Sequence, residues 1–311
     1  MKVINVSTNK EKWIWVVAFL IMSLMVTACS EITETEENAR GIFYEVAGGE
    51  STVYLLGSIH VGEEELYPLH SSVEEAFEAS DVLVMEIDLD SLNEMAVAQE
   101  MMEYAMYEDG TTMGDEIPEE TFDKLLAYAE PLGIGEEILE LFRPWYGTML
   151  LTEIAVEESG LSQEYGVEQY FLDKKGDREV IGIEEVRDQL LPFTLLSRES
   201  QQLYLEETLA EMENMEDQLR EMIDYWRKGN LEYFEALRRE SIEGVGTESY
   251  QRAQMALLDD RDQNMAEKIQ ELLENDQEQT YFIVVGSLHL VGENSIPYNL
   301  EGMGYQLELG Y

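Results

Sequence analysis

In a chain of 311 residues, 67 acidic side chains against 19 basic ones give a formal charge of −48. That balance speaks against nucleic acid and anionic lipid headgroups as partners, since both need a basic face. The acids are spread along the whole chain, which reads as a solvated surface suited to salty or alkaline surroundings rather than as a cation-collecting site.

The N-terminus bears on compartment. Lys2, Lys10 and Lys12 precede an apolar run from Trp13 to Val26, too short for a membrane span and suited to a signal-peptide core. The run closes on Val26-Thr27-Ala28-Cys29, and Cys29 is the only cysteine. This resembles a bacterial lipobox, in which processing leaves a lipidated cysteine as the first mature residue. The expectation is a signal segment over 1–28, a polar tether over 29–40, and attachment through lipid to the extracytoplasmic face of the cell membrane. No disulfide is available, so one domain over 41–311 must be held by its core.

Phe43–Val46 and Thr52–Leu56 flank Ala47-Gly48-Gly49-Glu50-Ser51 and predict a β-hairpin. Ser71–Ala79 has helical spacing, with Val73, Ala76 and Phe77 on one face. Asp81–Asp88 is a continuous apolar run of the kind found in strands buried on both faces. Strand, helix and strand suggest a βαβ unit. From Leu92 to Lys175, and again from Asp188 to Asn275, the pattern is helical, and Ser197–Lys228 reads as a long acidic amphipathic layer. Between these blocks Arg178–Glu184 predicts a short buried strand. Tyr281–Gly286, a short connector and Tyr305–Leu309 close the chain. The fold class expected is α/β: a central mixed sheet from the two ends of the chain, with a large helical middle section.

One short phrase occurs twice. Val53–Leu56 runs into Gly57-Ser58-Ile59-His60, and Tyr281–Val285 runs into Gly286-Ser287-Leu288-His289. Two of the three histidines in the chain are used this way. Histidine is the commonest neutral metal ligand and the usual acid or base near pH 7. If the two strands lie side by side, both imidazoles reach one rim of the sheet. Glu86 and Glu184 also stand at the ends of apolar runs, where a carboxylate is costly unless paired, protonated or metal-bound. Two histidines with one or two glutamates suit a divalent Zn, Mn, Co or Fe.

The phrases Leu56–Gly62, Met85-Glu86-Ile87-Asp88, Arg143-Pro144-Trp145, Gly166-Val167-Glu168, Gly182-Ile183-Glu184-Glu185, Arg261-Asp262-Gln263-Asn264 and Val285–Gly292 together resemble the TraB/GumN family. That family is related to the Tiki proteases and more distantly to the ChaN and erythromycin-esterase group. The resemblance implies metal-dependent hydrolysis, best supported for peptides. His60, His289 and Glu86 become the metal site for Mn, Co or Zn. Glu86 or Glu184 becomes the proton shuttle, and Arg143 a cation that either supports the metal ligands from behind or binds substrate, with Arg261 a further candidate. The alternative is a lipoprotein that binds a peptide or haem without chemistry. His70 reads as a capping residue, Trp145 as core and the helical methionines as packing. Ser58 and Ser287 are discounted as nucleophiles, since Gly-Ser-x-His is not the Gly-x-Ser-x-Gly elbow.

Overall fold

The structure is a computed structural model, described over residues 38–275 and 278–311. The expected signal segment and positions 29–37 of the tether lie outside the described residues. No helix among the described residues is long and apolar enough to cross a membrane.

The hairpin forms as the sequence predicts. β1 (Ile42–Ala47) and β2 (Thr52–Ser58) pair antiparallel, from Val46 opposite Val53 to Ile42 opposite Gly57. The chain then crosses through the helix Ser71–Glu78 to β3 (Val82–Met85). β4 (Glu179–Gly182), β5 (Thr280–Gly286) and β6 (Gln306–Leu309) complete a mixed sheet of order β4-β3-β5-β2-β1-β6. β4, β3, β5 and β2 run parallel, while β1 is antiparallel to both of its neighbours. The central strand β5 is among the last to be made. Its run of Tyr281–Val285 is buried throughout, as a strand covered on both faces requires.

The main core forms around this sheet. Phe77 of the crossover helix packs edge-on against Phe282 of β5, and Phe171 lies against both rings. Burying each such side chain contributes about 1.5–3 kcal/mol. Trp226, Phe234, Met265 and Ile269 join the same core from the helical section.

One expectation is corrected and one is refined. The strand read at Arg178–Glu184 is not fully buried: β4 pairs only with β3, so Val180 and Ile181 are half-covered at the sheet edge. The long amphipathic stretch Ser197–Lys228 is two helices, Arg198–Glu211 and Met215–Arg227, broken by a 3-10 turn at Met212–Asn214. The break lets them serve different cores. The first joins a second apolar cluster built round Trp145, Leu151 and Leu205, and the second carries Trp226 to the sheet. Trp145 is core as expected, stacked on Phe193. His70 caps the helix Ser71–Glu78, its Nδ1 accepting from the Ser72 N–H at 3.3 Å.

Candidate active site

Because β2, β3, β4 and β5 are parallel, their carboxyl ends share one edge of the sheet, where ligands of open α/β folds bind. His60, Glu86, Glu184 and His289 are the polar residues just past those ends. The Glu184 N–H donates to the Glu86 carbonyl at 2.7 Å, so the β3–β4 pairing continues until the two glutamates lie side by side.

Glu86 is the hub. Its Oε1 accepts from the Gly286 N–H at 2.6 Å and lies 3.8 Å from His289 Nε2. Its Oε2 accepts from Arg261 Nη2 at 2.7 Å and from Gln189 Nε2 at 3.0 Å. Burial pushes this carboxyl up, but His289, Arg261, His60 and the Gly286 N–H outweigh it and hold the group down at about 2. Arg261 also grips Glu184, donating from Nε at 2.9 Å and from Nη2 at 2.6 Å. Burial pushes Glu184 up against the pull of Arg261, and the charge on Glu86 adds to the push. Two carboxylates within one guanidinium's reach are therefore driven apart in acidity.

Each histidine has a carboxylate behind it. His289 Nδ1 is 2.5 Å from Asp262 Oδ1, and Asp262 Oδ2 accepts from Arg238 Nη1 at 2.6 Å. His60 Nδ1 is 2.8 Å from Glu168 Oε1, which also accepts from the Ser58 hydroxyl. Glu168 raises the His60 pKa to about 9. The two rings differ in access: the His60 side chain is 73% exposed and that of His289 only 7%.

The glycines and serines of the two phrases are structural. A Cβ on Gly57 would stand 3.0 Å from the Ser287 Cα, so glycine here lets the two turns touch. The Ser287 hydroxyl donates to the Ser58 carbonyl at 2.8 Å. Both serine hydroxyls are buried and hydrogen-bonded.

Arg143 stands apart from this cluster. It is the N-cap residue of the helix Pro144–Ser159, and its guanidinium lies over the Tyr107 ring at 4.7 Å. Among the described residues no hydrogen bond or ion pair joins it to Glu86, Glu184, His60 or His289. Sequence reading missed the roles of Glu168, Asp262, Arg238 and Gln189. For Asp262 a signal existed. It shares its helical face with Met265, Ala266, Ile269 and Leu273, all buried, and a carboxylate on an apolar stripe demands a partner. Arg238 sits four residues from buried Phe234 in the same way.

In type, two imidazoles and a carboxylate are donors of the kind a divalent metal takes. Both Nδ1 atoms are taken by carboxylates, which leaves both Nε2 atoms as the free ring positions; this is how metal-binding histidines are commonly oriented. Glu86 has about four lone-pair positions and spends three on hydrogen bonds, leaving one on Oε1 towards His289. Among the described residues no group of three or more His, Cys, Asp or Glu side chains is arranged to hold an ion.

Fold and site together define an α/β protein with two histidines and two glutamates gathered at the carboxyl edge of its parallel strands. The chain belongs to the TraB/PrgY/gumN family, whose model matches residues 42–309. It is 23% identical over 254 residues to the uncharacterized protein YbaP of Escherichia coli K12, covering 81% of this chain and 89% of that one. Shigella flexneri YbaP is also 23% identical, over 249 residues, covering 79% of this chain and 87% of its own length. An uncharacterized Treponema pallidum protein is 24% identical over 170 residues, which span 54% of this chain and about half, 51%, of the relative. No solved structure matches the chain.

Proposed function

We propose that the domain is a lipid-anchored, extracytoplasmic, metal-dependent hydrolase acting on peptides. The observation that carries this reading is the pair of carboxylate-backed imidazoles, His60 on Glu168 and His289 on Asp262, flanking an ionised Glu86. His60, His289 and the free lone pair of Glu86 would hold Mn, Co or Zn. Bound there, the ion would supply Lewis acidity, polarising a scissile carbonyl and lowering the pKa of its water towards ~7. The chain's own groups do the rest. The Gly286 N–H and Arg261 keep Glu86 ionised and fixed. Glu184, pushed up by burial, is the group suited to take up and return a proton. Arg143, on the helical section, is proposed as a cation for substrate carbonyls or a terminal carboxylate.

The test is cleavage of a mixed peptide library by the protein from Asn38 onward, followed by mass spectrometry. Product should vanish with chelator and return with Mn, Co or Zn. Cleavage that ignores the chelator removes the metal from the reaction. Tight peptide retention without product, or a Soret shift on adding haem, replaces the hydrolase with a binding protein.

A further inference from the structure

Arg238 lies in the helix Leu231–Glu243, is 3% exposed, and belongs to none of the phrases that mark the site. Its guanidinium is spent on the surroundings of one histidine. Nη1 donates to Asp262 Oδ2 at 2.6 Å and to the Leu288 carbonyl at 2.6 Å. Nη2 donates to Asp259 Oδ1 at 2.6 Å, and Asn294 Nδ2 donates to the other oxygen of Asp259 at 2.9 Å. One buried cation thus holds both the carboxylate behind the His289 ring and the peptide bond that leads into His289.

We propose that Arg238 and Asp262 are a positioning pair for His289, fixing its ring with the proton on Nδ1 and Nε2 free towards Glu86. The inference rests on the reading above, in which His289 acts through Nε2. Among the described residues neither Arg238 nor Asp262 is bonded to Glu86 or Glu184; both act through the ring.

The chemistry is determined by donor and acceptor counts. A neutral imidazole has one N–H. Asp262 is wholly buried, so no solvent competes for its oxygens. Arg238 can only donate and takes Oδ2, which leaves Oδ1 as the acceptor facing Nδ1 at 2.5 Å. The ring's proton then belongs on Nδ1, and its lone pair on Nε2, 3.8 Å from Glu86 Oε1. The substitution Asp262→Asn keeps the shape and inverts the count. The amide oxygen must turn to Arg238, which accepts nothing. The NH2 group then faces Nδ1, and the ring has to accept there and carry its proton on Nε2.

The experiment uses the full chain in detergent with ¹⁵N only at histidine. Three rings give a readable spectrum, and His60→Ala and His70→Ala assign them. Long-range N–H correlations, recorded where the nitrogen shifts show a neutral ring, report the tautomer without any need for activity. The expected result is Nδ1–H for His289 in the native chain and Nε2–H in Asp262→Asn, at unchanged circular dichroism. Mn affinity should fall about 10- to 100-fold in that variant. Arg238→Met should lose a comparable factor, and Arg238→Lys should recover part of it. A native His289 with its proton on Nε2, or an Asp262→Asn ring that keeps the native tautomer, overturns the proposal. If the tautomer inverts as expected while no form of the protein cuts any peptide, the positioning pair stands and the hydrolase reading alone falls.

Discussion

Ser58 and Gly286 face each other across β2 and β5. The two Gly-Ser-x-His phrases are therefore out of step by one residue. His60 lies two residues beyond that rung, and His289 lies three beyond it in a 3-10 turn, Ser287–Leu290. The offset draws one ring into the polar interior and leaves the other at the rim.

The two histidines should accordingly differ in structural cost. His289→Ala strips a buried carboxylate of its partner, and about 1–3 kcal/mol of stability should be lost. His60→Ala removes an exposed pair worth about 0–1 kcal/mol. Urea unfolding of the metal-free variants measures both; equal losses would contradict the asymmetry.

The two phrase glycines should part in the same way. Gly57→Ala places a methyl 3.0 Å from the Ser287 Cα, a backbone atom with little room to yield, at a cost of about 1–3 kcal/mol. Gly286→Ala places one 3.4 Å from both Glu86 Oε1 and His289 Cδ2, an ordinary contact. That variant should melt like the native chain yet bind Mn more weakly, because the methyl lies between two donors. Melting curves and Mn titration separate the two effects.

The folded His60 pKa of about 9 exceeds its ordinary 6.5, chiefly through Glu168. A raised histidine stabilises the fold fully below its unfolded value, and the contribution fades as pH rises through the folded one. Melting of the metal-free protein should thus show a shallow decline between pH 6.5 and 9 from this pair, small because the ring is exposed. In Glu168→Gln that part of the profile should flatten. An unchanged slope would show that the pair does not titrate in that window.

Arg261 is the cation that lets Glu86 and Glu184 stay ionised together. Arg261→Met should cost about 3–5 kcal/mol, since it leaves buried charge unpaired. Adding Glu184→Gln should restore part of the loss by removing one of the stranded charges. A double variant no more stable than Arg261→Met alone would mean the cost lies in packing.

β1 begins at Ile42, opposite Gly57, so the chain enters the sheet at the edge that carries the histidines. A lipid on Cys29, as proposed, would hold that edge towards the bilayer. Peptides tethered to vesicles should then be cut several-fold faster than the same peptides in solution, and Cys29→Ser should abolish the difference. Equal rates for both substrates would count against this orientation.

Much of the scaffold was legible because it is local. The hairpin, the crossover helix and the apolar runs before His60, Glu86 and His289 follow from periodicity and turn residues alone. Where the reading erred, the cause lay in position. Val180 and Ile181 look like core, but their strand has a neighbour on only one side. Ser197–Lys228 keeps its amphipathic pattern across the turn at Met212–Asn214, so the pattern alone does not show that its two halves serve different cores.

By itself the sequence determined which groups stand at the strand ends, since an apolar run broken by glycine specifies an exit whatever surrounds it. Only the tertiary structure decided what those groups can do. The pairing of β2 with β5 brought His60 and His289, 229 positions apart, to one edge. Packing of helices from the middle section put Glu168, Asp262 and Arg238 behind the rings. A hydrogen-bond partner is chosen by distance in space, and among 67 acids spread along the chain neither Glu168 nor Asp262 is marked by composition as the one that meets an imidazole.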